Sequence, residues 1–180
     1  MAKKTIMFVC TGNIFRSQLA EELAKKIFGE MGLVEYKFIS AGIHAHDGNS
    51  LPQSVINVGR KYGLNLRRKY SKRVKPGMIR EVDLILVMEP EHKHEIEEAY
   101  PEAKGKVYLI TEYVGERGYV EDPIYGRVSV DEVARILQRL ITKLAKKLKS
   151  EKGKKCFRKY ITMKMQVASK AFWTTEVNRL

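Results

Sequence analysis

Val9-Cys10-Thr11-Gly12-Asn13-Ile14-Phe15-Arg16-Ser17 joins a short apolar run, Thr5-Ile6-Met7-Phe8-Val9, to a segment with helical spacing. An apolar run of that length, closed by Gly and Asn, predicts a buried strand. From Ser17 to Met31, residues Leu19, Leu23, Ile27 and Phe28 share one helical face, with Glu21, Glu22, Lys25 and Lys26 elsewhere. Gly32 supplies a stop. Between strand and helix, Gly12 and Asn13 both tolerate positive φ. Such a loop can curl so that successive backbone N–H groups point inward at a helix N-terminus, a good seat for an oxyanion. The same field favours a thiolate at Cys10. Arg16 adds a planar guanidinium able to hold two oxygens at once, and the Ser17 hydroxyl can donate to sulfur. No Gly-Lys-Ser/Thr follows, so this is not a Walker loop. Alone, a cysteine at a strand end also fits a small buried hydrophobe. The joint arrival of strand, glycine, arginine and helix points instead to a nucleophile in an anion cradle.

Working outward, Tyr36-Lys37-Phe38-Ile39 reads as a second strand ended by Ser40-Ala41-Gly42, and residues 44–50 as a loop. Helical patterning runs from Pro52 to Tyr62, with Gly63 after it. Val82-Asp83-Leu84-Ile85-Leu86-Val87-Met88 is almost continuously apolar, as expected of a central parallel strand covered on both faces. Pro90 to Tyr100 reads as a helix with Pro in its first turn. Val107-Tyr108-Leu109-Ile110 is a fourth strand, and a polar loop then carries Glu121-Asp122-Pro123-Ile124-Tyr125-Gly126. A long helix starts near Ser129, where Ser129 to Glu132 fits a capping box. Its apolar stripe runs through Val133, Ile136, Leu137, Leu140, Ile141, Leu144 and Leu148. Strands alternating with helices predict an α/β domain with a parallel sheet. Ligands of such sheets bind beyond the carboxyl ends of the strands, which brings Cys10 and Asp122 towards one edge.

The chain has 180 residues and is 44% hydrophobic, enough for one domain with a core of its own. No apolar run is long enough to span a bilayer, and the N-terminus lacks a signal-peptide pattern, so a cytoplasmic protein is expected. The two cysteines, Cys10 and Cys156, are too few for a disulfide framework. The net charge of +13 fits either a solvated Lys-rich surface or acidic partners, and the Lys and Glu content is compatible with a thermophile. Residues 149–180 differ from the rest: nine Lys or Arg against two Glu give them +7 and leave +6 for residues 1–148. Lys152-Gly153-Lys154-Lys155 reads as a linker, Tyr160 to Phe172 as a helix, and Trp173 as an anchoring aromatic. The expected division is therefore a domain over 1–148 and a basic extension over 149–180.

The stretch Cys10-Thr11-Gly12-Asn13-Ile14-Phe15-Arg16-Ser17 resembles the signature loop of the low-molecular-weight protein tyrosine phosphatases, cysteine-based enzymes of an arsenate-reductase-like superfamily. Ser40-Ala41-Gly42, Asp83 to Met88 and Asp122-Pro123 match further family segments in order, so the resemblance covers roughly residues 4–148. It implies a three-layer sandwich with a four-stranded parallel sheet of order 2-1-3-4 flanked by helices. It also implies hydrolysis of phosphotyrosine and other aryl phosphates through a phosphocysteine. Cys10 would be the nucleophile. Arg16 and the backbone from Thr11 through Gly12, Asn13, Ile14 and Phe15 to Ser17 would bind the phosphate. Asp122 would be the acid and base. Asn13, Ser17 and Ser40 would support the loop, and His46 and Tyr125 would line the entrance. No metal or cofactor is implied. The partners would be a phosphotyrosine-containing protein and inorganic phosphate or a similar oxyanion, with the chain a monomer or weak dimer.

The sequence also departs from the family pattern. Phe15 stands where many relatives carry a second cysteine, so a protective disulfide with the nucleophile is not expected. Gln18 replaces a common proline, Ile124 a common aromatic, and Lys69 falls near a histidine that often braces the loop. Two alternatives remain. A thiol-dependent arsenate reductase would need relay cysteines, and Met88 to Tyr100 has none. A phosphate- or polyanion-binding module without turnover would use the basic extension, although no zinc-finger, helix-turn-helix or aromatic RNA-binding pattern supports nucleic acid as partner.

Overall fold

The computed structural model describes residues 3–152. Four parallel strands, β1 (Lys4–Cys10), β2 (Tyr36–Gly42), β3 (Leu84–Val87) and β4 (Val107–Leu109), form one sheet in the order β2-β1-β3-β4. This is the order the family resemblance implies. The helices are α1 (Arg16–Glu30), α2 (Gln53–Lys61), α3 (Pro76–Glu81), α4 (Pro90–Ala99) and α5 (Ile110–Tyr113). A further helix, α6, begins at residue 130 and continues to 152. Chain contacts divide the protein at Ala145/Lys146, and the site described below lies within the first unit. The expected linker beyond residue 152, the helix over 160–172, Trp173 and Cys156 lie outside the described residues.

Alternation along β1 builds the two faces of the sheet. Met7 and Val9 join Ile85, Val87 and Val107, packing with Val82, Ile79 of α3 and Ile96 of α4. Ile6 and Phe8 point the other way. There Phe28 of α1 meets Phe38 edge to face at 4.7 Å, and Phe38 stacks with Phe8 at 6.2 Å. Pairs of this kind add about 0.5–1.5 kcal/mol beyond area burial. Val133, Ala134, Leu137, Leu140 and Ile141 of α6 are fully buried, and Ser129 Oγ accepts the Glu132 N–H as the capping-box spacing predicts.

Helix α1 ends where Gly32 predicts. Gly32 takes φ 71°, its N–H reaches Gly29 O, and Leu33 N–H reaches Phe28 O, which is a Schellman closure. Two short helices were not expected. Helix α3 has six residues, too few for a period to show, and only Pro76 at its start marks it. Ile110, expected to end the fourth strand, instead opens α5, because β4 stops at Leu109.

Parallel registration puts the chemistry at one end. Cys10 lies opposite Gly42 and Val9 opposite Val87, so the β1 and β2 carboxyl ends and the start of α4 converge. Helix α1 is unusual at this end. Arg16, Ser17, Gln18 and Glu21 are all buried, an arrangement that polar side chains adopt only when partnered.

Candidate active site

The turn from β1 into α1 passes through Asn13, the one non-glycine residue with positive φ among those described, at 52°. Gly12, also expected to allow this, does not use it. The turn is packed close on its neighbour strand. A Cβ on Gly42 would lie 2.6 Å from Thr11 O and 2.8 Å from Asn13 N, so only glycine lets β2 come this near. The first turn of α1 contains no acidic residue, and no side chain caps it. Its N-terminal amides therefore remain available to an anion.

Below the turn, the backbone sets the direction in which the Asn13 amide bonds. The Lys72 backbone N–H donates to Asn13 Oδ1 at 2.8 Å, so the Asn13 amide must donate with its nitrogen. That nitrogen reaches Ser17 Oγ at 2.8 Å and Ser40 Oγ at 3.0 Å. Ser40 passes its own proton to Glu21 Oε2 at 2.6 Å. Ser17, already accepting from Asn13, has its proton left for Cys10 Sγ, 3.0 Å away. Glu21 holds its charge because burial, which opposes it, is outweighed by hydrogen bonds from Lys25, Lys69 and Ser40; the carboxyl lies below the usual range. The expected loop-support residues Asn13, Ser17 and Ser40 thus come together. Lys69 does not touch Asn13; it binds Glu21 and Glu22 at 2.8 and 2.7 Å.

Above the turn, Arg16 is 1% exposed. Its Nη1 donates to Val120 O at 2.9 Å and lies 3.0 Å from Glu89 Oε2. Its Nη2 donates to Asp122 Oδ2 at 2.5 Å and to Thr11 Oγ1 at 3.3 Å. Thr11 Oγ1 is also 2.9 Å from His92 Nε2. His92 Nδ1 accepts the Glu89 N–H, so the proton of the neutral ring sits on Nε2 and can be donated to Thr11. Burial, aided by the Arg16 charge, pushes the His92 pKa down to about 4. Glu89 and His92 were not singled out in the sequence. Their signal is an N-cap acid before Pro90, at the end of β3, with a polar residue three positions on.

Asp122 caps a short 3-10 turn, Pro123–Tyr125, through Ile124 N–H. Beside it lies a cleft of about 270 Å³ lined in part by Glu89, Glu91, Tyr119, Glu121 and Tyr125. Tyr125, 73% exposed, is one of its lining residues. His46 is not among the lining residues; its side chain is exposed, and its backbone oxygen accepts from Ser71 Oγ. Phe15 is buried, and Cys10 is the one cysteine among the described residues. Among those residues no group of three or more His, Cys, Asp or Glu is arranged to hold a metal ion, and no helix is long and apolar enough to cross a membrane.

Fold and site together define a parallel α/β protein with a buried cysteine at the turn from its first strand into its first helix. A family model described as low molecular weight phosphotyrosine protein phosphatase matches residues 5–154, and the chain belongs to that family. It is 33% identical over 144 residues to the low molecular weight protein-tyrosine-phosphatase PtpB of Staphylococcus haemolyticus, covering 78% of this chain and 95% of the relative. It is 35% identical over 151 residues to a protein-arginine-phosphatase of Bacillus subtilis, covering 82% and 98%. The crystal structure of a low molecular weight protein tyrosine phosphatase from T. tengcongensis superposes with a TM-score of 0.75 at 32% identity, over 81% of this chain and 99% of that one.

Proposed function

We propose that this chain is a protein tyrosine phosphatase that hydrolyses phosphotyrosine and other aryl phosphates through a phosphocysteine. The observation that carries this reading is the meeting of four groups at the carboxyl end of the sheet: Cys10 Sγ beside the Ser17 hydroxyl, and Arg16 bound to Asp122. Cys10 Sγ attacks phosphorus, forming the S–P bond as the P–O bond to the phenol breaks. The loop amides and Arg16 hold the equatorial oxygens as charge builds there. Phosphate binding draws Arg16 away from Asp122, and Asp122, protonated, gives its proton to the leaving phenolate. Water then attacks phosphorus while Asp122 takes a proton, and the S–P bond breaks to return the thiolate and inorganic phosphate. The activity belongs to residues 1–148 in the cytoplasm, with a phosphoprotein as partner and residues 149–180 as a basic extension outside the catalytic unit.

A second reading, hydrolysis of phosphoarginine, is favoured by the carboxylates Glu89, Glu91 and Glu121 beside Asp122, which suit a cationic guanidinium. The test compares phosphotyrosine, phosphoarginine and phosphoserine peptides with wild type and Cys10→Ser. Turnover of phosphotyrosine above the other two, abolished in Cys10→Ser, is expected. Substantial turnover by Cys10→Ser removes Cys10 as nucleophile, and a preference for phosphoarginine establishes the second reading.

A further inference from the structure

Gln18 is 2% exposed, in the first turn of α1, and its amide is half used. Nε2 donates one proton to Asn13 Oδ1 at 3.1 Å and the other to Tyr70 O at 2.9 Å. Oε1 is buried without a hydrogen-bond partner among the described protein groups. Burying a carbonyl in that way forfeits its hydration with nothing in return, so this side chain is a poor choice for stability alone. An apolar residue of the same length would fill the space without that cost.

What the amide does supply is a two-pronged donor between two loops. One prong ends on Asn13, the residue held at φ 52° in the cradle, and the other on the strap at residues 70–72. The same strap reaches back through Lys72 N–H to the same Asn13 oxygen. Two donors therefore converge on Oδ1, and with that oxygen pinned, Asn13 Nδ2 can face only Ser17 and Ser40. Lys69 does not take this position, since Glu21 and Glu22 of α1 hold it.

We propose that Gln18 is a positioning residue for the nucleophile: by locking the Asn13 amide it directs the Ser17 proton onto Cys10 Sγ. This deepens the phosphocysteine reading and rests on it. Gln18 touches neither sulfur nor phosphate, so its effect must pass through Ser17.

The experiment uses the full chain, with Gln18→Met and Gln18→His made in wild-type and Ser17→Ala backgrounds. Three quantities are read: thermal midpoint, kcat and KM for an aryl phosphate, and the rate of Cys10 alkylation by iodoacetamide at pH 6. Gln18→Met is expected to keep or raise the thermal midpoint, to lower kcat about tenfold with little change in KM, and to slow alkylation about fivefold, as the loss of one oriented hydrogen bond implies. Gln18→His, which retains an N–H donor, is expected to recover part of both rates. In the Ser17→Ala background the same substitutions should change neither rate further. A folded Gln18→Met with unchanged alkylation and kcat overturns the proposal, as does an equal loss in the Ser17→Ala background. If Gln18→Met does not fold, the comparison of Gln18→His with Gln18→Asn in both backgrounds decides on the same criteria. Residual turnover in Cys10→Ser would instead remove the phosphocysteine reading itself, so the two failures are separable.

Discussion

Asp122 Oδ2 and Arg16 Nη2 are 2.5 Å apart, so the proposed proton donor and the proposed phosphate clamp are paired with each other. Glu89 occupies the other nitrogen of the same guanidinium at 3.0 Å. A phosphate dianion that binds Nη2 competes there with Asp122. Asp122→Asn removes a negative charge from that competition and also removes the acid. Inorganic phosphate should therefore inhibit Asp122→Asn more tightly than wild type. At the same time kcat for phosphotyrosine should fall about 10²–10³-fold. Esters of strongly acidic phenols, which need little protonation, should lose far less. Competitive inhibition constants and a leaving-group series measure both effects.

His92 ties the stability of the domain to pH. Its pKa is about 4 when folded, against 6.5 for the free side chain. The folded protein therefore binds fewer protons there than the unfolded chain. The contribution is fully present above pH 6.5 and is lost as pH falls from 6.5 towards 4, for a total of up to about 3 kcal/mol. Denaturant titrations at a series of pH values should show this slope in wild type and a flatter one in His92→Gln. Glu21 acts lower on the scale. Its contribution is present above pH 4.5 and is lost as pH falls through its depressed folded value.

Gly42→Ala should injure the cradle from the neighbouring strand. The added Cβ meets Thr11 O at 2.6 Å, Asn13 N at 2.8 Å and the Ala45 Cβ at 2.9 Å. Two of these are backbone atoms of the cradle itself, so relief requires the loop to move. A loss of about 1–3 kcal/mol in unfolding free energy is expected, together with weaker phosphate binding. Thermal unfolding with and without saturating phosphate measures both, since a damaged cradle shifts less on ligand addition.

Lys69→Met removes one of two ammonium groups on Glu21, and Lys25 remains 2.5 Å from the same oxygen. The pair is partly exposed, so a cost of about 1 kcal/mol is expected. Glu21→Leu leaves Lys25 and Lys69 to Glu22 alone and deprives the buried Ser40 hydroxyl of its acceptor, and should cost more. Equal destabilisation by the two would contradict the shared-acceptor arrangement.

The cradle was legible in the sequence because its parts are consecutive: Cys10, Asn13, Arg16 and Ser17 lie within eight positions, between a strand and a helix with clear periodicity. Topology placed Asp122 after the fourth strand, towards Cys10, but its role was legible only through resemblance to a family motif, since an Asp before Pro is ordinarily a turn residue. The brace was not legible. Gln18 meets Tyr70 and Lys69 meets Glu21 across about fifty positions, and no local pattern records which side chain the fold will place against Asn13. Lys69 had the place of a bracing histidine in the chain, but its flexible ammonium follows the nearest carboxylates. His92 carried no signal of its own in the helix from Pro90 to Tyr100, because its partner is the Thr11 hydroxyl from a distant loop. Helix α3 escaped notice for its length alone.

The sheet contains only parallel pairings, and Arg16 finds its carbonyl partner 104 positions away at Val120. No hairpin can prebuild any of the sheet's strand pairings, and each must wait for an intervening crossover to close. Helical signal during refolding therefore reports local segments, whereas the return of phosphate binding reports that the chain from β1 through the turn after β4 has closed as a whole. The site serves as the domain's own marker of complete folding, and a kinetic gap between the two signals would measure how late that closure comes.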